Sequence, residues 1–218
     1  MSDVRQPNSH AGARRAQPLL VRPLPAAALT LGFTRAELEA HRDEVVPDLI
    51  GPGCRLLFVG INPGLWTAAV QTHFAHPGNR FYPALLEAGI IEAPIDPAAG
   101  MTVADRAAFL ARGLGITNLV PRATARADEL SAQELRTGGE RLVGTVRRWE
   151  PRVVAVAGIT AYRTAFGERK ATMGRQPTDL AGGELWVVPN PSGLNAHETV
   201  ATLAQAYAAP ARAAGVLP

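Results

Sequence analysis

The sequence contains a single cysteine, Cys54, among its 218 residues. One thiol cannot form an internal disulfide, and it cannot build a cysteine-ligated zinc or iron–sulfur site within one chain. We therefore expect no metal and a reducing, cytoplasmic setting. No apolar run approaches the roughly 18–20 residues of a membrane-spanning helix, so no membrane partner is expected. The first 29 residues also lack a signal-peptide pattern, because prolines interrupt their apolar residues.

Lysine is almost absent, since Lys170 is the only one among 22 basic residues, and the net charge is +3. Residues 1–30 carry four arginines and one aspartate, which equals that whole net charge. The remaining chain is balanced, so charge alone does not indicate a nucleic-acid-binding surface on it. Residues 1–30 lack periodicity and are rich in proline, alanine and arginine, which predicts a disordered basic arm. This arm either contacts DNA non-specifically or is a disordered tail without a binding role. Residues 31–218 are predicted to form a single domain.

Several familiar catalytic motifs are missing as well. No Gly-x-Gly-x-x-Gly follows the first predicted strand and no Walker lysine loop occurs, so we expect no nucleotide cofactor. Ser192 lies in Pro-Ser-Gly rather than in the Gly-x-Ser-x-Gly of a nucleophile elbow. No pair of carboxylates stands out, and Asp128 is only a weak candidate for an assisting group.

Four short apolar runs, each bounded by turn residues, predict the strands. Their continuous valine, isoleucine and leucine content is typical of strands buried on both faces, hence of a parallel sheet. The runs are residues 55–59, 116–120, 153–157 and 185–188.

Helical patterns separate these runs, and Thr34 and Ser131 each begin a capping box. The predicted helices start near residue 34 and then span 81–88, 103–112, 131–149, 162–166 and 197–213. This alternation predicts an α/β fold, a three-layer α/β/α sandwich around a short central parallel sheet.

Two Asn-Pro dipeptides follow the first and the fourth predicted strand. We call residues 60–64 the Asn62 loop and residues 190–197 the Asn190 loop. Ligands of such sheets bind outside the carboxyl ends of the strands. Both loops are therefore predicted to face one cleft.

The Asn62 loop indicates a particular chemistry. Pro63 restricts Asn62 to an extended conformation, and glycines on either side let the backbone approach a ligand closely. An amide can orient a water molecule but is not a strong base, so the leaving group has to depart early. Cleavage of an N-glycosidic bond through an oxocarbenium-like state is such a reaction. The alternative is a simple turn at a strand end.

Three further residues between the loops are candidates for a base pocket. Phe74 is suited to stack on an extruded base, which is worth about 1–3 kcal/mol. The Asn118 amide is suited to read a pyrimidine edge, and Thr124 to share the water with Asn62. The alternative for Asn118 is an ordinary polar group at a strand end.

The Asn190 loop places an apolar side chain, Leu194, between Gly193 and Asn195. An apolar wedge that enters a base stack explains this, because an enzyme that flips a base must fill the gap. Asn190 and Ser192 are candidates for binding phosphate or base. The alternative is a turn that starts the last helix, with Leu194 in the core.

Several sequence blocks together resemble the mismatch-specific uracil-DNA glycosylase and thymine-DNA glycosylase family, over about residues 45–210. The blocks are residues 60–65, 76–82, 115–124, 130–135 and 190–194. The resemblance implies the uracil-glycosylase α/β/α sandwich. It also implies a monofunctional enzyme that leaves an abasic site and needs no metal or cofactor.

The resemblance assigns roles to residues of the Asn62 loop and of the predicted base pocket. Asn62 would position the hydrolytic water and Phe74 would stack on the flipped base. Asn118 would contact the pyrimidine edge, together with backbone groups at Ile61 and Gly64.

The same resemblance makes Leu194 the wedge, with Gly193 and Asn195 meeting the orphaned guanine through their backbone. The implied partner is double-stranded DNA with G·U or G·T-type mismatches, and the implied enzyme is a monomer in the bacterial cytoplasm, acting at the nucleoid. Uracil opposite guanine and ethenocytosine-type lesions are the expected substrates, with thymine weaker. The Asn62 loop lacks the aspartate of the fast, uracil-specific branch, so slower turnover and wider tolerance are expected.

Two other classes remain open. One is a non-catalytic lesion-binding protein on the same scaffold, against which the amide at Asn62 argues. The other is a hydrolase or transferase of free nucleosides, which would have no use for a wedge such as Leu194.

Overall fold

The computed structural model describes residues 32–218. The predicted basic arm, residues 1–30, lies outside the described residues. The strands are β1 (Leu56–Gly60), β2 (Leu114–Asn118), β3 (Val153–Ala157), β4 (Gly174–Arg175) and β5 (Glu184–Val188). The helices are α1 (Arg35–Glu39), α2 (Leu65–Val70), α3 (Phe81–Glu87), α4 (Val103–Ala111), α5 (Ala132–Trp149), α6 (Ile159–Phe166) and α7 (Val200–Ala213), with a 3₁₀ turn at Ala127–Glu129.

The strands form one five-stranded sheet in the order β2-β1-β3-β5-β4. Strands β2, β1, β3 and β5 are parallel. Leu56 of β1 aligns with Leu114 of β2 on one side and with Val153 of β3 on the other. Every residue of β1, β2 and β3 is buried, as continuous apolar strands require when both faces of a sheet are covered. The sandwich is thus confirmed, although the two-residue edge strand β4 runs antiparallel and makes the sheet mixed.

Helices cover both faces of the sheet. On one face, Phe58 of β1 packs against Phe81 of α3 and Tyr207 of α7. On the other, residues of α5 and α6 such as Val146 and Tyr162 pack against β1 and β3. Two separate apolar clusters, one on each side of the sheet, give the three layers.

Helix α5 lies unusually close to the elements beneath it. It begins with the predicted capping box, in which the Ser131 side chain accepts from the backbone of Glu134. A Cβ added at Gly138 would overlap the carbonyl oxygen of Leu119, and one at Gly139 would lie 2.8 Å from that of Ala165. Gly138 therefore allows α5 to pack closely on the segment that follows β2, which carries part of the site, and Gly139 allows the same close approach to α6.

The structure moves one predicted strand and adds one helix. Strand β2 ends at Asn118, two residues before the apolar run suggested, because the chain leaves the regular ladder there. Its continuation stays tied to the chain after β1, since the N–H of Val120 donates to the carbonyl of Ile61 at 2.9 Å. Helix α2 directly after the Asn62 loop was not predicted. In the described part of the chain, no helix is long and apolar enough to cross a membrane.

Candidate active site

A cavity of about 460 Å³ opens at the carboxyl ends of the parallel strands. The loops after β1, β2 and β5 and the segment after α2 form its walls. Ten of the eleven predicted site residues line it: Ile61, Asn62, Gly64, Phe74, Asn118, Thr124, Asn190, Ser192, Leu194 and Asn195. Gly193 is the eleventh and does not line the cavity. The two Asn-Pro loops do face one cleft, and its volume is typical of small-molecule pockets.

The amide of Asn62 has a defined orientation. Its Nδ2 donates to the carbonyl oxygens of Pro63 and Arg122 at 3.0 and 3.2 Å, and to Thr124 Oγ1 at 2.8 Å. The two carbonyls can only accept, so the nitrogen must point towards them. The Oδ1 atom accepts no hydrogen bond from any residue between 32 and 218. Asn62 thus offers the cavity an acceptor whose position is set by the wall behind it.

Thr124 is buried, and its hydroxyl is already engaged. It accepts from Asn62 and donates its one proton to the carbonyl oxygen of Arg126 at 2.7 Å. Its hydroxyl proton is engaged by the Arg126 carbonyl, so Thr124 could contact a water only by accepting through its second lone pair. The contact that the structure shows is with the amide nitrogen of Asn62, which Thr124 helps to hold in place. That Thr124 also shares the water with Asn62 stays a prediction.

Phe74 forms an aromatic wall of the cavity. Its ring stacks on Phe81, with centroids 4.1 Å apart and an interplanar angle of 25°. Its backbone has a φ of 56°, which a bulky residue rarely adopts. Residues with such strained backbone conformations are concentrated at functional sites. The ring is half-buried and lines the cavity. Phe74 is therefore placed to stack on a planar ligand with its second face.

Asn118 ends β2 and is buried against His73. Nδ2 of Asn118 donates to Nδ1 of His73 at 3.1 Å, while Nε2 of His73 donates to the Pro47 carbonyl at 3.0 Å. That carbonyl requires a proton on Nε2, so Nδ1 is the acceptor in the neutral ring. Burial lowers the pKa of His73, which keeps it neutral. His73 therefore determines the orientation of the Asn118 amide.

Sequence reasoning did not identify this role of His73. The signal that could have revealed it is weak, because its two partners lie 26 and 45 residues away. Gly60 belongs to the same cluster. A Cβ at Gly60 would overlap Oδ1 of Asn118 and lie 3.3 Å from the ring of Phe74.

The Asn190 loop is an ordered turn. Oδ1 of Asn190 accepts from the N–H of Ser192 at 3.0 Å, and Oγ of Ser192 accepts from the N–H of Leu194 at 3.3 Å. The side chain of Asn195 donates back to the Asn190 carbonyl at 3.1 Å. Leu194 is 86% exposed at the cavity mouth, so it is not part of the core. The last helix begins only at Val200, after the loop has ended.

Asp128 is the one carboxylate among the described residues that line the cavity. Both its oxygens accept from Arg126, at 3.1 and 2.7 Å, and both side chains are mostly exposed. Such an exposed pair contributes little to stability and is readily opened. Within residues 32–218, no three histidine, cysteine, aspartate or glutamate side chains come together as a metal site would need.

Comparison with known proteins gives two findings. The family model described as the uracil DNA glycosylase superfamily matches residues 47–210, which include every residue of the cavity wall. A solution NMR structure from Methanosarcina acetivorans, of a protein provisionally described as a uracil DNA glycosylase, superposes with a TM-score of 0.51 at 16% identity. The match covers 77% of this chain and 98% of that one. At this identity, the structural likeness bears on the fold alone.

Proposed function

The chain belongs to the uracil DNA glycosylase superfamily, and from this premise we propose that it is a monofunctional DNA glycosylase acting on uracil mispaired with guanine. The observation that carries the proposal is the Asn62 amide. Three acceptors engage its nitrogen, and its oxygen is left to the cavity that Phe74 and Asn118 also line.

The geometry supports a reaction in which the base leaves before water attacks. The N-glycosidic bond breaks with its electron pair on the departing base. The free Oδ1 of Asn62 accepts a hydrogen bond from a water and directs it at the sugar carbon, and the proton that this water loses neutralises the departed base anion. An amide cannot remove a proton as a carboxylate does, so attack must follow development of an oxocarbenium-like centre. The lone carboxylate of the wall, on Asp128, is held in an exposed ion pair with Arg126. We therefore assign Asn62 to the water and Asp128 to no obligatory step.

The base is proposed to lie between Phe74 and Asn118. Stacking on an aromatic ring contributes about 1–3 kcal/mol per base and tolerates many bases. Asn118 adds direction, because the bond to His73 holds its amide in one orientation. The pocket thus recognises a pyrimidine edge with neutral hydrogen-bonding groups rather than with charge.

Mismatch specificity is proposed to come from the Asn190 loop. Leu194 is an exposed apolar side chain at the rim of the cavity, as a wedge that replaces a flipped base must be. A G·U pair costs less to open than a matched pair, which favours mismatched duplexes. We extend the proposal to the mismatch-specific uracil- and thymine-DNA glycosylase branch, to ethenocytosine-type lesions and weaker thymine activity, and to a monomeric, cytoplasmic enzyme.

The test is alkali cleavage of a labelled duplex that contains one G·U pair, after incubation with the protein at fixed salt. The wild type should produce a strand break at the uracil, and Asn62→Ala should lose about 10²–10⁴-fold in rate while retaining DNA binding. The matched control is Gln133→Ala, which removes another amide on the exposed surface of α5 and should cleave normally.

Parallel duplexes with A·U, G·T and ethenocytosine opposite guanine, and a single strand with uracil, define the substrate range. No cleavage of any of these would overturn the enzyme assignment. Tight binding to the G·U duplex without cleavage would replace it with a non-catalytic lesion-binding protein. Cleavage of free uridine in preference to DNA would point to a nucleoside hydrolase.

A further inference from the structure

Arg80 immediately precedes α3 and makes its polar contacts with the Asn190 loop. Its backbone N–H donates to the carbonyl of Pro191 at 3.0 Å. Its Nη2 donates to the carbonyls of Ser192 and Asn195, both at 2.8 Å, and its Nη1 donates to the carbonyl of Glu198. One residue thus binds four carbonyl groups between Pro191 and Glu198, along the Asn190 loop and one residue beyond it.

These contacts depend on the shape of a guanidinium group. Its donors form a rigid planar fork, so three carbonyls can be held at once in a fixed arrangement. In the described part of the chain Arg80 forms no salt bridge, and its Nε is buried without a partner. Within residues 32–218, the acceptors of its side chain are all backbone carbonyls of residues 192–198, so this side chain contacts the backbone of one segment.

Two further contacts hold the backbone of the Asn190 loop and of the residue before it. A Cβ added at Gly193 would lie 2.7 Å from the carbonyl oxygen of Gly78, so the turn before Arg80 touches the loop backbone directly. The hydroxyl of Tyr207 on α7 donates to the carbonyl of Pro189 at 3.0 Å, just before the loop begins. The loop is therefore anchored at its base while Leu194 remains 86% exposed at its tip.

We propose that Arg80 is a positioning residue that holds the Asn190 loop in the conformation in which Leu194 enters the duplex. The inference rests on the proposed function, because it assigns Leu194 to the duplex. A loop that is ordered beforehand does not lose conformational freedom during insertion. Loss of Arg80 should therefore impair opening of the duplex much more than hydrolysis of an already accessible base.

The experiment compares wild type, Arg80→Met and Arg80→Lys on a G·U duplex and on single-stranded uracil DNA. Methionine keeps the length and apolar stem of the side chain but has no donor. Arg80→Met loses the side-chain hydrogen bonds to the loop. If this weakens insertion of Leu194 by the free energy of one or two such bonds, kcat/KM on the duplex should fall about ten- to a hundredfold. The rate on the single strand should fall much less, because no base has to be extruded from a duplex. Lysine should recover part of the duplex activity.

A double-mutant cycle with Leu194→Ala separates positioning from general stability. In the Leu194→Ala background, Arg80→Met should cause little further loss on the duplex, because the wedge it serves is already gone. The matched control is Arg55→Met. Arg55 also donates to backbone carbonyls, those of Arg112 and Gly215, but it precedes β1 at the opposite edge of the sheet. Its loss should affect single-stranded and duplex substrates equally.

Equal losses on duplex and single strand for Arg80→Met, or a full additional loss in the Leu194→Ala background, would overturn the proposal. A second measurement does not depend on activity. Hydrogen exchange of the free protein should accelerate in peptides covering residues 190–198 in Arg80→Met and not in Arg55→Met. If the wild type cleaves no substrate, the proposed function fails, whereas unchanged exchange in the loop refutes the anchoring by Arg80 itself.

Discussion

Replacing Thr124 with valine tests how Asn62 is held. Valine has nearly the same shape as threonine but removes the hydroxyl that accepts from Asn62 at 2.8 Å and donates to the Arg126 carbonyl at 2.7 Å. At about 0.5–1.5 kcal/mol for each hydrogen bond, the free energy of unfolding should fall by about 1–3 kcal/mol. Urea denaturation measures this change.

The effect on catalysis should be smaller than that of removing Asn62. In Thr124→Val, the Asn62 amide keeps its bonds to the Pro63 and Arg122 carbonyls at 3.0 and 3.2 Å, so it loses only part of its orientation. A loss of about 1.4 kcal/mol in transition-state stabilisation corresponds to a tenfold slower rate. Single-turnover cleavage of a G·U duplex, with enzyme in excess, should show this drop, and Thr124→Ser should recover most of it because the hydroxyl returns.

Two outcomes would refute this reasoning. If Thr124→Val is as slow as Asn62→Ala, Thr124 takes part in holding the water itself, as the sequence first suggested. If Thr124→Val cleaves at the wild-type rate, the hydroxyl does not orient Asn62. In each case the urea measurement shows whether the variant is folded under assay conditions.

Three further predictions concern the fold and the pyrimidine pocket. Gly138→Ala should destabilise the protein by about 1–3 kcal/mol or more in urea, because its Cβ overlaps a backbone carbonyl. Gly144→Ala on the same helix meets open space and should stabilise by up to about 1 kcal/mol, and equal effects would contradict the packing argument. Gly60→Ala should displace the Asn118 amide, so the rate of single-strand cleavage should fall while the melting temperature changes little. An unaltered cleavage rate would show that the amide has room to shift. Burial lowers the pKa of His73 below 6.5, so the unfolded chain binds this proton at a higher pH than the folded one. The melting temperature should therefore fall as pH drops below about 6.5 towards the lowered value, and His73→Gln should remove that part of the slope; an identical slope in the variant would exclude His73 as its source.

The residues proposed to contact the base carry neutral groups. Asn62, Asn118 and Phe74 line the cavity, and His73 behind them is held neutral by burial. Each amide is oriented by a second group that can only accept a hydrogen bond. For Asn62 this group is a backbone carbonyl, and for Asn118 it is Nδ1 of His73, which carries no proton in this tautomer. Such preorganised dipoles need little rearrangement when charge develops in a transition state, which suits a reaction limited by departure of the base.

Local sequence patterns were sufficient for the architecture and for most of the cavity wall. Continuous apolar runs predicted buried parallel strands, and capping boxes such as that at Ser131 marked helix starts. Because parallel strands deliver their carboxyl ends to one edge, the loops around Asn62 and Asn190 could be placed in one cleft. An apolar residue between polar turn residues also indicated that Leu194 is exposed, as it is. These features depend on periodicity and turn chemistry over a few residues, which the sequence displays directly.

Only the tertiary structure decided which polar groups meet. Strand β4 is two residues long and leaves no periodic pattern, and the end of β2 depends on where its ladder with β1 stops. The bond between His73 and Asn118 joins residues 45 apart, and Arg80 reaches carbonyls more than 110 residues away. Partners at such separations follow from strand register, helix packing and side-chain rotamers acting together, none of which a local pattern contains. The sequence by itself thus indicated the residues of the cavity, while the folded chain assigned their partners, such as the bond by which Thr124 supports the Asn62 amide.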